Sequence, residues 1–265
     1  MNLFIRVYQR LFYSPAKTKV IVLGFQKSGT TAIASLLARA CGVELSSDPL
    51  YHTDFGKGEQ AEMLLSRNTD SGPIFTDFPK LFGSPMIKDP DFIYAFDDIS
   101  QIYKNAKFIY ITRNPLDTIK SICGRLGITR NMMDTIPAMT STKANLHWQS
   151  ILNGNLPKLR GCYKKSFIEN LAHRWQLSTD IYLAHAENMF LCRYEDFLGD
   201  KEKVIVEMVN KLDLENKKSI GDYVDTSYQL SGNIRISSAE FFGTKVVSEI
   251  EDICASGMAS FGYVK

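Results

Sequence analysis

The sequence predicts an α/β domain, a parallel β-sheet covered by helices on both faces. Three observations predict it. A short apolar, mostly β-branched run, Val20-Ile21-Val22-Leu23, leads through Gly24 and a polar turn into Ser28-Gly29-Thr30-Thr31, and Ala32 to Ala40 is then rich in helix formers. A second run dense in β-formers, Lys107 to Thr112, gives way to Asn114-Pro115, with proline well placed to open another helix. The same alternation of strand and helix continues to the C-terminus. Alternation of this kind implies right-handed crossovers and helices on both sides of a parallel sheet.

At the N-terminus, Leu3, Phe4, Val7, Tyr8 and Leu11 share one helical face, with Arg6, Gln9 and Arg10 off it. Residues 1–18 therefore read as an amphipathic segment ahead of a domain at 19–265. The segment is too interrupted by charge for a signal peptide. It packs on the domain's own core or, alternatively, makes peripheral contact with an anionic membrane surface through residues 3–13. Ser14-Pro15 ends it. Residues 19–25 form the first strand and 30–41 its helix. Residues 43–72 are punctuated by Gly, Asp and Ser, with a helical piece from about Glu59 to Arg67. Ser84 to Lys88 reads as a short second strand, and a helix runs from Pro90 to Tyr103. The strand at 107–112 precedes a helix from Pro115 to Arg125. Residues 126–165 carry Gly127, Pro137, Gly154, Pro157 and Gly161, and read as a long, partly helical insertion. A long helix (166–186), a strand (188–193), a helix (201–212), a loop (221–236) and a final helix (241–258) complete the chain. No internal repeat interrupts this order.

Composition narrows the function classes. With 265 residues and 45% hydrophobic content, the chain can bury the core of one full-sized domain. A formal net charge of +2 is too balanced to imply a nucleic-acid partner, so local anion-binding pieces must select the ligand. Cys41, Cys123, Cys162, Cys192 and Cys254 are scattered, without CxxC or Cys/His spacing. They predict neither a zinc site nor a disulfide framework, but reduced thiols in a cytoplasmic setting. No apolar run reaches the roughly 18 residues of a transmembrane helix.

Strand, glycine turn and helix together aim backbone N–H groups and a helix N-terminus at a phosphate. A Walker A loop would end in Gly-Lys-Ser/Thr. Here Gly24 and Gly29 have that spacing, but Thr30 follows the second glycine and the lysine lies upstream, at Lys27. The fold is thus P-loop-like with altered chemistry. The second anchor is Arg113 through Ser121. Arg113 follows a strand, and in an open parallel sheet ligands bind beyond the carboxyl ends of the strands. Its guanidinium offers a planar fork to phosphate oxygens, and Ser121 adds a hydroxyl donor. Alone, Arg113 also reads as a surface partner of Asp117. Together, the two anchors ask for a ligand with two separate anionic ends.

Here the chain resembles the sulfotransferases that use 3′-phosphoadenosine 5′-phosphosulfate (PAPS). Lys27-Ser28-Gly29-Thr30-Thr31 is similar to their 5′-phosphosulfate loop, and Arg113-Asn114-Pro115 through Ser121 to their 3′-phosphate motif. Arg193-Tyr194-Glu195-Asp196 resembles the family's Tyr-Glu-Asp after a late strand, and Ile253 through Tyr263 its C-terminal helix. Ile87-Lys88-Asp89-Pro90 resembles the Lys-Asp-Pro of the tyrosyl-protein and some bacterial members. The cytosolic small-molecule branch has Lys-x-His there, with the histidine as base; this chain has Asp89 in that place.

The resemblance implies a residue-by-residue assignment. Lys27 would stabilise charge on the leaving phosphate oxygen. Ser28, Gly29, Thr30 and Thr31 would hold the 5′-phosphate, Arg113 and Ser121 the 3′-phosphate, and Tyr194 the adenosine. Lys88 would be a second cation at the sulfuryl group. The reaction would need PAPS, release PAP and use no metal. The base would be a carboxylate after the first helix: Asp48 first, in an Asp-Pro similar to a Glu-Pro of carbohydrate-acting members, then Glu59, with Asp54, Glu44 and His52 as further options. The acceptor, a carbohydrate, glycolipid or small molecule with a hydroxyl or amine, would meet residues 43–83 and the 126–165 region. Trp148 would stack on it, whereas Trp175 reads as core. Tyr163-Lys164-Lys165 reads as solvated loop charge or as a site for an anionic acceptor. A P-loop nucleotide or small-molecule kinase is the alternative, and would need Mg²⁺ and a lysine where Thr30 stands. A non-catalytic PAPS- or PAP-binding module is the other.

Overall fold

The computed structural model describes residues 12–53, 64, 75, 77–129, 146–154, 156, 166–226 and 236–263. Within them five parallel strands form one sheet in the order β2-β3-β1-β4-β5. The central β1 (Val20–Gly24) pairs with β3 (Met86–Lys88) on one side and β4 (Lys107–Thr112) on the other. Beyond these lie β2 (Leu45–Ser47) and β5 (Met189–Arg193). Val20 stands opposite both Met86 and Lys107, Ser47 opposite Lys88, and Thr112 opposite Arg193. The carboxyl ends therefore rise in one row, and the loops that leave them share one edge of the sheet.

Period-two alternation sorts the strand side chains into two cores. Val20, Val22, Ile109 and Ile111 pack with α1 (Thr30–Cys41) and with Ile205 and Met208 of a late helix, Lys201–Lys211. Ile21, Leu23, Ile87, Phe108 and Tyr110 face the opposite core. There they meet Ile119 and Ile122 from the helix at Pro115–Leu126 and Leu171 and Trp175 from the long helix at Phe167–Ala184. Each such side chain, nearly free of solvent, contributes about 1.5–3 kcal/mol of transfer free energy, so neither helical layer is dispensable.

Apart from a single helical turn at Pro79–Phe82, the helices after α1 are, in chain order, α2 (Pro49–Thr53), α3 (Phe96–Ile102), α4 (Pro115–Leu126), α5 (Leu146–Leu152), α6 (Phe167–Ala184), α7 (Tyr194–Gly199) and α8 (Lys201–Lys211). The last are α9 (Ser238–Phe242), α10 (Thr244–Ile253) and α11 (Ala255–Ser260). The starts of α4 and α6 result from local capping. Asn114 Oδ1 accepts the Leu116 N–H at 2.9 Å, and Ser166 Oγ accepts the Glu169 N–H at 3.2 Å.

Three expectations are corrected. β2 is absent from the sequence reading, because Leu-Ser-Ser carries no β-former run; pairing to β3 alone makes it a strand. The helix expected at 90–103 is a 3₁₀ segment, Pro90–Ala95, followed by α3, since Asp89 caps a tight turn first. The final helix divides into three. Gly243, at φ 82°, breaks it after α9, and a second break at Cys254 lets α11 bring Gly257 against Trp175. A Cβ on Gly257 would stand 2.6 Å from Trp175 Cζ3. The expected insertion contributes α5, and most of it lies outside the described residues, as do residues 3–11 of the amphipathic segment and the Tyr163-Lys164-Lys165 cluster.

Candidate active site

The loop between β1 and α1 sits at the carboxyl end of the central strand. Gly24 is required there, since a Cβ would stand 2.3 Å from the Ile111 carbonyl oxygen of β4. Lys27 adopts a left-handed conformation at φ 66°, a strain of about 1–2 kcal/mol for a residue with a Cβ. Gly29, also left-handed, is the N-cap of α1 and has no room for a side chain against the ring of Tyr194. No side chain caps α1, and the buried Ser28 Oγ has no hydrogen-bond partner. An uncapped helix N-terminus beside an unsatisfied hydroxyl is a site built for an anion. Burial pulls the Lys27 ammonium down to about 8, with Arg125, Arg113 and Lys88 adding repulsion. An anion placed among these cations would relieve both effects.

Arg113, the first residue after β4, joins this loop from the other side. Its Nη1 donates to the Lys27 carbonyl at 3.3 Å, and its guanidinium lies 4.8 Å from the Tyr194 ring centroid. The buried Trp175 fixes its backbone, donating from Nε1 to the Arg113 carbonyl at 3.0 Å. Glu195 ties three segments together, accepting the Asn114 N–H at 2.9 Å and the Tyr263 hydroxyl at 2.8 Å. Ser121 lies in the second turn of α4, half-buried.

Beside the loop opens a cleft of about 530 Å³, lined by Lys27, Thr30 and Thr31, by Asp48, Tyr51 and His52, by Lys88 to Asp91, and by Arg125, His147 and Trp148. Lys88, only 2% exposed, places Nζ 2.7 and 2.6 Å from the two oxygens of Asp48. The backbone holds that pair, with the Asp48 N–H donating to the Lys88 carbonyl at 2.7 Å. Asp89 is buried and structural: its oxygens accept the N–H groups of Asp91 and Leu50, each at 3.1 Å. Burial, then the nearby Asp91 and Asp48, push its carboxyl well above the usual carboxylate range.

Asp91 is the hub of the cleft. Its Oδ1 accepts from Gln26 Nε2 at 2.7 Å and from Arg174 Nη2 at 2.6 Å, and its Oδ2 lies 3.3 Å from His147 Nε2. Arg174 is buried, with its guanidinium 4.3 Å from the Tyr94 ring centroid. One carboxylate thus links the β1–α1 loop, the 3₁₀ segment, α6 and α5.

The structure brings most of the sequence-derived residues together. Lys27, Thr30, Thr31, Asp48 and Lys88 line the cleft, and Arg113 and Tyr194 adjoin its loop. Trp175 is core, at 1% exposure, and Trp148 lines the cleft. Glu44 lies ahead of β2, at the amino ends of the strands, where Tyr13 and Lys80 contact it, so it is removed from the base candidates. Glu59 and Asp54 lie outside the described residues. Sequence reasoning missed Gln26, Tyr51, Asp91, Arg125 and the role of Arg174. Each is a single residue with no spacing signal; only its contacts mark it.

The family model described as the sulfotransferase family matches residues 55–218, more than half of the chain. No curated protein sequence matches. Among solved structures, the chain is similar to sulfotransferase STF9 from Mycobacterium avium, with a TM-score of 0.58 and 14% identity, covering 97% of this chain and 80% of that one. It is similar to sulfotransferase STF1 from Mycobacterium tuberculosis, with a TM-score of 0.54 and 14% identity over 96% of this chain and 80% of that one. It is also similar to mouse sulfotransferase SULT7A1, solved in complex with PAP, with a TM-score of 0.52 and 14% identity over 95% of this chain and 88% of that one. At these identities the likeness is one of fold.

Proposed function

The chain belongs to the sulfotransferase family, and from that premise we propose that it moves a sulfuryl group from PAPS to a hydroxyl or amine acceptor by in-line displacement. One observation carries the reading. Lys27, Arg113 and Tyr194 gather at an uncapped helix N-terminus, Lys27 lining the cleft and Arg113, which follows β4, outside its lining. A donor phosphorylated at both the 3′ and 5′ positions needs two such separated cationic ends. PAP bound to the mouse relative supports the same donor.

In this reading the N–H groups at the start of α1 and the hydroxyls of Ser28, Thr30 and Thr31 hold the 5′-phosphate. Arg113 and Ser121 hold the 3′-phosphate, and Tyr194 packs on the adenosine side, its place fixed by Gly29. The acceptor oxygen or nitrogen forms the new bond to sulfur as the bond from sulfur to the bridging phosphate oxygen breaks. That bridging oxygen keeps the electron pair, and Lys27 stabilises its charge. Lys88 adds a second cation at the sulfuryl group, held in place by Asp48. A cleft of about 530 Å³ with Trp148 and Tyr51 on its walls suits a carbohydrate, glycolipid headgroup or aromatic small molecule. The setting is cytoplasmic. Among the described residues no helix is long and apolar enough to cross a membrane, and peripheral contact through residues 3–13 belongs to the proposal as the route to a glycolipid.

The test is transfer from labelled PAPS to an acceptor panel, with EDTA present, for the wild type and Lys27→Ala. The wild type should bind PAPS and turn over, and Lys27→Ala should lose about 100- to 1,000-fold in rate. Failure of the intact protein to bind PAPS would refute the proposal. Binding without transfer to any acceptor would make it a nucleotide-binding module, and ATP turnover abolished by EDTA would make it a kinase.

A further inference from the structure

We propose that His147, held by Asp91, is the base that takes the proton from the acceptor; the inference rests on the sulfotransferase reading. Sulfuryl transfer to a neutral hydroxyl releases a proton, and a base within hydrogen-bond reach of that hydroxyl must receive it. Among the described residues, the carboxylates of the cleft are already engaged. Both oxygens of Asp48 lie on the Lys88 ammonium. Both oxygens of Asp89 accept backbone N–H groups. Asp91 Oδ1 carries Gln26 and Arg174. What remains of Asp91 is Oδ2, and it faces His147 Nε2 at 3.3 Å.

Asp91 Oδ2, 3.3 Å from Nε2, orients the ring; in the proposal Nε2 carries the proton toward that carboxylate, which leaves the lone pair on Nδ1 of a residue that lines the cleft. The pair is well supported. Asp91 is 3% exposed and Arg174 2%, so the carboxylate is fixed and its charge is already matched by a guanidinium. The ring of Tyr51 packs edge-on to His147, with centroids 6.2 Å apart. His52 also lines the cleft, but it is exposed and no carboxylate orients it among the described residues. The other charged groups facing the cleft are Lys27, Lys88 and Arg125, which attract the donor rather than accept protons.

The step balances in atoms and charge. Nδ1 of His147 takes the hydroxyl proton as the acceptor oxygen bonds to sulfur. The bridging oxygen leaves with its electron pair beside Lys27, and the imidazolium later returns its proton to water. Asp91 is a positioning residue: it sets the tautomer and the angle of the ring.

The test compares two probes of matched shape, 4-nitrobenzyl alcohol and 4-nitrophenol, at pH 8 with labelled PAPS. The first needs a base and the second is already ionised. His147→Ala and His147→Gln should lose about 100-fold or more with the alcohol and no more than a few-fold with the phenol. PAP affinity, measured in parallel, should stay at the wild-type value. Equal loss with both probes, or alcohol transfer retained in both variants, would overturn the assignment, the more so if His52→Gln or Asp48→Asn abolished it. Nitrogen-15 shifts of the imidazole in the intact protein read the tautomer without any acceptor. Nε2–H is expected, shifting toward a mixture in Asp91→Asn, and a wild-type Nδ1–H would overturn the proposal. Loss of PAP binding in the wild type would instead strike the sulfotransferase reading and leave the tautomer result standing.

Discussion

Raising the pH from 7.5 to 9.5 should weaken PAP binding through a single lysine. Lys27 is drawn from its ordinary 10.5 down to about 8, chiefly by burial and then by Arg125, Arg113 and Lys88. Bound phosphates at the loop would restore the ammonium. Binding then takes up a proton wherever the free lysine has lost one, so affinity falls as pH rises through about 8. The ligand's own phosphates are fully ionised from pH 7.5 upward, since their second step lies near 6. One titrating group with a free value of about 8 gives at most about 25-fold weaker binding at pH 9.5 than at 7.5. At pH 8.5 the same value gives uptake of about three quarters of a proton per PAP. Calorimetry in buffers of different ionisation enthalpy reads both quantities. Lys27→Arg, charged throughout, should flatten the profile and abolish the uptake. Affinity unchanged to pH 9.5 in the wild type, or the same decline in Lys27→Arg, would refute the reasoning.

Three further outcomes are expected. Gly29→Ala puts a methyl 2.2 Å from Tyr194 Cδ2 at φ 89°, so it should lower the melting temperature by roughly 5 °C and displace the ring that Arg113 covers, with PAP binding lost alongside. Asp48→Asn leaves the buried Lys88 ammonium without its counter-charge; because Asp48 is 40% exposed, the cost in urea unfolding should be about 1–2 kcal/mol rather than that of a fully buried pair, and Lys88→Met in the same chain should recover most of it. Arg113→Ala should weaken PAP by about 10- to 100-fold and AMP, which lacks the 3′-phosphate, hardly at all; equal losses would put the 3′-phosphate elsewhere.

The legible parts of this molecule are those where local chemistry is sufficient. Gly24 and Gly29 stand where the backbone or a neighbouring ring excludes a Cβ. Asn114-Pro115 and Ser166 write helix starts into the chain, and the structure keeps both. β2 was not legible, because Leu45-Ser46-Ser47 has no strand pattern and becomes a strand by pairing with β3. Likewise, 90–103 has one hydrophobic pattern but two helical forms, since the Asp89 cap tightens the first turn. Asp48 and Lys88 both read as site residues, yet nothing in their spacing said that they would bind each other.

By itself the sequence determined the parallel α/β architecture and the place of Lys27 ahead of Gly29 in the first loop, and it pointed to the two proposed anion-binding anchors. Those depend on β-propensity, glycine conformations and motif spacing, which act over a few residues. Only the tertiary structure decided which polar groups of the cleft are engaged and with what. Asp91 meets Gln26, Arg174 and His147 across four elements, separated by up to 83 residues. A hydrogen bond of that kind depends on distance in space, to within a few tenths of an ångström, and the order of residues along a chain does not encode it locally.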